Sequence, residues 1–147
     1  MARRVFFSFH YQRDIWRANV VRNCGEFIGT AAAGFSDASL WEEAKRKGDA
    51  AIKRMIDDAL LGTTVTVVLI GAQTASRAYV NYEIDKSIER ENGILGIHIH
   101  MIPDRNRQTD WRGAVPAKLL NSKYRIYDWP NDSAMFARWI EEAYTNK

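Results

Sequence analysis

The sequence predicts a three-layer α/β fold: a central parallel sheet of about five strands with helices on both faces. Three observations predict it. Short apolar runs rich in β-branched residues, such as "TVTVVLIG", alternate with segments whose apolar residues recur at helical spacing. Those runs are nearly continuous, as expected of strands covered on both sides. Nothing in the 147 residues reads as a repeat, a low-complexity tract or a linker, so residues 1–147 are expected to form a single domain.

The elements follow in order. "RVFFSFHY" reads as the first strand. Its basic, apolar start is like that of a signal peptide, but His10, Gln12 and Arg13 interrupt it and no small-residue cleavage site follows. In "RDIWRANVVRNCGEFIG", Trp16, Val20, Cys24, Phe27 and Ile28 recur at helical spacing, and Gly29 is placed to close the helix. "TAAAGFSD" fits a second strand or a loop. "SLWE" is a capping-box pattern, Ser39 with Glu42. The helix that follows carries Ile52, Met55, Ile56, Ala59 and Leu60 on one stripe, and Gly62 stops it. "TTVTVVLIG" is the clearest strand. "SRAYVNYEI" opens a helix with Val80, Ile84 and Ile88 facing inward. "ILGIHI" is a further buried strand. Residues 103–123 read as irregular, with Pro103, Gly113 and Pro116. "YRIYDW" is the last strand, ended by Pro130, and the final helix buries Met135, Phe136, Trp139, Ile140 and Ala143. "RVFFSFH", "VTVVLIG" and "ILGIHI" are expected to be inner strands.

Composition narrows the partners. Hydrophobic residues make up 46% of the chain, enough for one core, yet no run reaches the roughly 18 apolar residues of a membrane span. Cys24 is the single cysteine, which excludes an internal disulfide and suits a reducing cytoplasm. Its place on an apolar stripe reads as a buried structural thiol. The net charge of +3 and pI of about 9.1 suit an anionic small molecule. "RNRQTDWR" is the densest basic patch, and it reads as a solvated loop rather than a nucleic-acid surface. No nucleic-acid or membrane partner is expected. His98 and His100 alternate along a strand and so share a face, but no third ligand is suitably spaced and no metal is expected.

Ligands of parallel sheets bind at the carboxyl ends of the strands. Glu83 follows the end of the clearest strand, and His10 and Tyr11 follow the end of the first. Several ligand classes are excluded by missing parts. The first strand is followed by "SFHYQRD", which holds neither the glycines of a dinucleotide fingerprint or a P-loop nor a flavodoxin phosphate loop. A phosphoacceptor receiver would need acidic residues at the ends of "VFFSFHY" and "VTVVLIG", and there are none.

Three segments instead resemble the TIR domains, and among them the TIR-like ThsB component of bacterial Thoeris antiphage defence. "RVFFSFHYQRD" is similar to the first TIR box, "GFSDASLWEEAKRKGDAAIKRMIDDAL" to the loop and helix after the second strand, and "VTVVLIGAQTASRAYVNYEIDKSIE" to the strand, S-x-W-x-x-x-E signature and helix that follow. Tyr79 stands where most TIR domains carry tryptophan, and Glu83 falls on the glutamate. The likeness covers roughly residues 3 to 102 and implies a flavodoxin-like, TIR-like sheet.

That resemblance implies an NAD-consuming enzyme. Glu83 would cleave the nicotinamide–ribose bond and lead to a cyclic ADP-ribose-type signal, with NAD as substrate and no cofactor. Ser8, Phe9, His10, Ser36, Asp37, Trp41 and Tyr79 would bind the substrate. It also implies a diffusible nucleotide that reaches a separate effector, with homo-oligomerisation or a phage-derived activator as possible controls. Each residue has a structural alternative. Phe9 can be core, Ser36, Asp37 and Ser39 helix caps, Trp41 an anchor for its loop, and Glu83 a favourable charge near a helix start. The alternative functions are a TIR-like assembly module without catalysis, or nucleotide binding without chemistry. If the enzymatic reading holds, Glu83, Phe9 or His10, and Trp41 or Asp37 converge on one cleft at the carboxyl edge.

Overall fold

Val65–Ile70 (β3) is apolar at every position but Thr66, and such a strand must be covered on both faces. The structure, a computed structural model, describes residues 3–25, 27–35 and 39–147. Among these residues the chain runs β1 (Arg3–Ser8), α1 (Tyr11–Arg22), β2 (Phe27–Thr30), α2 (Ser39–Lys47), α3 (Asp49–Leu60), β3, α4 (Ala78–Glu89), β4 (Gly93–His98), β5 (Arg125–Asp128) and α5 (Ser133–Thr145). The five strands form one sheet in the order β2-β1-β3-β4-β5, and every neighbouring pair is parallel. The predicted sheet is borne out, and the three runs expected inside it are its three inner strands.

The pleat of β3 divides its side chains between two layers. Val68 and Ile70 pack with Val80 and Ile84 of α4. Val65, Val67 and Leu69 belong to the cluster that holds Phe136 and Ile140 of α5. Thr66, the one polar residue of β3, meets the Ser87 hydroxyl at 2.7 Å and accepts from Asn92 Nδ2 at 3.1 Å, so its burial leaves no polar group unpaired. In β1, Ser8 lies beside Val68 of β3 and bonds to a side chain of α4.

Several elements depart from the sequence pattern. The first helix ends at Arg22, and Phe27, Ile28 and Gly29 form strand β2 rather than its last turn. The second strand therefore ends at Thr30, the first residue of "TAAAGFSD", and residues 31–35 after it form a turn. The apolar residues Trp16 and Val20 face outward, while Tyr11, Asp14, Arg17, Ala18 and Val21 face inward. Two charged residues are tolerated there because each has partners. Arg17 donates to the Ile102 and Gln108 carbonyls at 2.6 and 2.9 Å and pairs with Asp14 at 3.4 Å. Cys24 lies beyond the end of α1 and is only half-buried. Burial still raises its thiol pKa, which disfavours the reactive thiolate.

The stretch from Ser39 to Leu60 is two helices, broken at Gly48, whose φ of 100° is open to glycine and strained for other residues. Ile52, Ile56 and Leu60 are buried as expected, with Met55 and Ala59 packed beside them. In α4 the inner face is Val80, Glu83, Ile84 and Ser87, whereas Ile88 is exposed. Residues 103–123 are irregular apart from one 3-10 turn, Ala117–Leu119. The basic patch within them is fastened to α1: Arg13 bonds Asp110 at 2.8 Å and lies over the Trp111 ring.

Close backbone contact fixes how α5 sits on the sheet. A Cβ added at Gly93, the first residue of β4, would collide with the Ala143 carbonyl. Gly93→Ala is therefore expected to lower stability by about 1–3 kcal/mol. Thermal melting should show a drop of several degrees with the two-state shape retained.

Candidate functional site

The sheet order reverses direction between β1 and β3, and that switch point opens a crevice at the carboxyl ends of the strands. Four segments line it. The end of β1 and the adjoining start of α1 contribute Phe7, Phe9, His10, Tyr11 and Gln12, the turn after β2 Ala31 and Ala32, α2 Trp41, and the start of α4 Arg77, Tyr79, Val80 and Glu83. The cleft opens to solvent; the room it leaves for the centre of a water molecule is about 20 Å³, and its whole empty volume, open mouth included, about 410 Å³.

Glu83 is the chemical centre of this cleft. It lies on the inner face of α4 and is 5% exposed. Ser8, at the end of β1 and itself buried, donates to Glu83 Oε1 at 2.7 Å. Burial pushes the carboxyl up to about 8, and the Ser8 bond opposes that shift. A carboxyl buried in a cleft and so strongly perturbed is a feature of functional sites. The helix-dipole alternative does not account for it. The first residue of α4 is Ala78, so Glu83 lies in the second turn, beyond the reach of a first-turn charge effect.

An aromatic array forms the wall. Phe9 stacks on Phe35 and on Tyr11, Tyr11 stacks on Trp41, and Trp41 meets Tyr79 edge to face, with centroid separations of 5.4–5.9 Å. Tyr79 is pinned in turn by Asp49 of α3, 2.8 Å from its hydroxyl. Each such aromatic pair contributes about 0.5–1.5 kcal/mol beyond area burial. Phe9 and Trp41 are both buried, so they serve the core and line the cleft at once. Trp41 is no surface anchor.

His10 caps α1: its Nδ1 accepts from the Arg13 N–H at 3.4 Å. Burial, then the charges of Arg77 and Arg13, lower its pKa, which favours a neutral ring with the proton on Nε2. Of the expected site residues, Ser8, Phe9, His10, Trp41, Tyr79 and Glu83 meet in this one region. Ser8 touches the carboxylate rather than open space. Ser36 and Asp37 lie outside the described residues. Tyr11 and Arg77 line the cleft but were not among the expected substrate-binding residues. Arg77 lies inside the quoted "SRAYVNYEI" segment, and its position at the helix start was the available signal. His98 and His100 meet edge to face at 5.9 Å, and among the described residues no group of three ligating side chains could hold a metal ion.

A doubly wound sheet in the order 2-1-3-4-5, with its cleft at the β1/β3 switch point, is of the flavodoxin-like class. Sequence comparison narrows that class. The family described as "Thoeris protein ThsB, TIR-like domain" matches residues 6–104. A protein of Bacillus cereus (strain MSX-D12), named "Putative cyclic ADP-D-ribose synthase ThsB1", is 48% identical over 138 residues, covering 88% of this chain and 72% of that protein. The chain belongs to the ThsB TIR-like family. Among the described residues no helix is long and apolar enough to cross a membrane.

The raised carboxyl makes stability depend on pH. Between the ordinary 4.5 and about 8, folded Glu83 keeps a proton that the unfolded chain has released. Stability therefore falls as pH rises through that window and levels off above it. Asp14, raised to about 6 by burial, acts in the same sense over a lower range and cancels in a comparison with Glu83→Gln. Between pH 5 and 8.5 the wild type should lose stability relative to that variant by on the order of 4 kcal/mol. Parallel curves of melting temperature against pH would show that the carboxyl does not titrate as a buried group.

Proposed function

We propose that the chain cleaves the nicotinamide–ribose bond of NAD and closes the remaining ADP-ribose into a cyclic signal nucleotide. The observation that carries this reading is the Glu83 carboxylate, buried against Ser8 in an aromatic cleft at the switch point. The family and the name of the Bacillus relative support it.

The chemistry suits a single carboxylate. When the C1′–N bond breaks, its electron pair goes to the pyridinium nitrogen, and nicotinamide leaves as a neutral base. No general acid is needed, unlike in ordinary glycoside hydrolysis. The ribose becomes oxocarbenium-like, and a charged Glu83 beside it lowers the barrier electrostatically, most strongly where water is excluded. A nucleophilic atom of the same molecule then bonds to C1′. If that atom is a hydroxyl oxygen, its proton passes to Glu83 or to water. NAD is the substrate in this scheme, and the reaction needs no separate cofactor.

Trp41 and Tyr79 line the cleft and offer aromatic surface for stacking on the substrate. A cationic pyridinium arriving beside Glu83 favours the ionised carboxylate, so binding itself would lower the pKa that burial has raised. The signal would act on a separate effector, and the cytoplasm is the compartment that supplies NAD.

Incubation with NAD, with and without lysate of phage-infected cells, tests the reading. The expected products are nicotinamide and a compound lighter than ADP-ribose by one water. NAD left intact under both conditions would overturn it. Glu83→Gln keeps the side chain's size and removes its charge, and should cost about a hundred- to a thousandfold in rate. In the wild type kcat/KM should rise with pH up to about 8, because the free enzyme needs the ionised carboxylate. A rate that falls over that range would count against a charged Glu83.

A further inference from the structure

Arg77 is the one lysine or arginine that lines the cleft among its described residues, and Glu83 shares that cleft. It is the residue just ahead of α4, in extended backbone conformation with φ −78° and ψ 122°. Its side chain is exposed, and no ion pair holds it among the described residues. Other surface arginines are also unpaired; Arg77 differs in its position. Its charge also reaches the opposite wall, where it disfavours protonation of His10.

The spacing along the helix carries the argument. Glu83 comes six positions after Arg77, a rise of about 9 Å along the axis. Glu83 lies deep in the cleft and Arg77 at its exposed mouth. If C1′ of the nicotinamide ribose sits at Glu83, the first phosphate lies one ribose ring and a 5′ linkage away, a span short enough for a phosphate lying toward the exposed end of the cleft to meet the long side chain of Arg77. Among the described residues, the rest of the lining gives a diphosphate no comparable partner. It is largely aromatic and aliphatic, with Gln12 held by Glu42 at 2.8 Å and His10 neutral. A guanidinium fork matches two phosphate oxygens at once.

We propose that Arg77 anchors the diphosphate of the substrate and so selects dinucleotides over nucleosides at the binding step. The proposal rests on the NAD reading and gives it a specificity element.

Calorimetric binding of ADP-ribose, which has the diphosphate but no scissile bond, separates the two. The wild type and Glu83→Gln should bind it with similar affinity. Arg77→Met should weaken it by about ten- to a hundredfold, with Arg77→Lys in between. The melting temperature of Arg77→Met should match the wild type, because the side chain is exposed. In turnover, Arg77→Met should raise KM for NAD while kcat changes less than about threefold, and slow cleavage of nicotinamide riboside should be unaffected. Equal ADP-ribose affinity in the wild type and Arg77→Met overturns the proposal, as does a wild type that binds no ADP-ribose. ADP-ribose binding that needs Arg77 in a chain that never cleaves NAD upholds the anchor and overturns the NAD reading instead.

Discussion

A carboxyl is buried at the ends of β1 and β3 with one hydroxyl as its donor, and the geometry of the cleft depends on that bond. Ser8 and Glu83 are 75 residues apart, and only the parallel pairing of β1 with β3 brings them to 2.7 Å. The register sets Ser8 beside Val68, on the side of the sheet covered by Val80 and Ile84 of α4. Glu83 shares the inner face of α4 with those two residues and so must point at the end of β1. Burying the charged form there is unfavourable, and a single neutral donor offsets only part of the cost, which is why the carboxyl holds its proton to about 8. The site thus stores a group that becomes negative most readily when a cation arrives beside it.

The aromatic array makes that storage possible. Phe35, Phe9, Tyr11, Trp41 and Tyr79 are in ring contact from the core to the mouth of the cleft. Packed on one another, they help to bury the carboxyl. Phe9 and Trp41 serve the core and line the cleft at the same time. Tyr79 joins the array to α3, because its hydroxyl is tied to Asp49 of α3 while its ring meets Trp41 of α2.

On the opposite side of the carboxyl edge, charge does structural work. Asp14 and Arg17 are buried on α1, and Arg17 gathers two carbonyls of the segment after β4. Arg13 adds Asp110 and the Trp111 ring. These contacts fasten the basic stretch to α1 at Asp110, while its other residues stay exposed. They also explain why helix α1 defeats a reading by hydrophobicity. Its inward face is chosen by ion pairs and carbonyls that come from residues about 85 to 97 positions away.

The sequence by itself determined the sheet, the inner strands and the place of the site. Continuous apolar runs such as "VTVVLIG" allow no exposed face, and strand ends in a parallel sheet are where ligands meet, so Glu83, Phe9 and His10 were legible as a group. The TIR-like segments added the identity of the carboxylate and of Trp41 and Tyr79 as its neighbours. The tertiary structure decided what each neighbour touches. Ser8 is a donor to Glu83 rather than a ligand-facing hydroxyl, Phe9 and Trp41 belong to the core as well as the cleft, and Arg77 stands at its mouth. It also decided that Phe27–Thr30 form strand β2 and that Gly48 divides one helical stretch into two. The physical reason is the same in each case. Local periodicity records how much of a segment is buried, whereas a hydrogen bond, an ion pair or a titration shift depends on which distant segment arrives beside it.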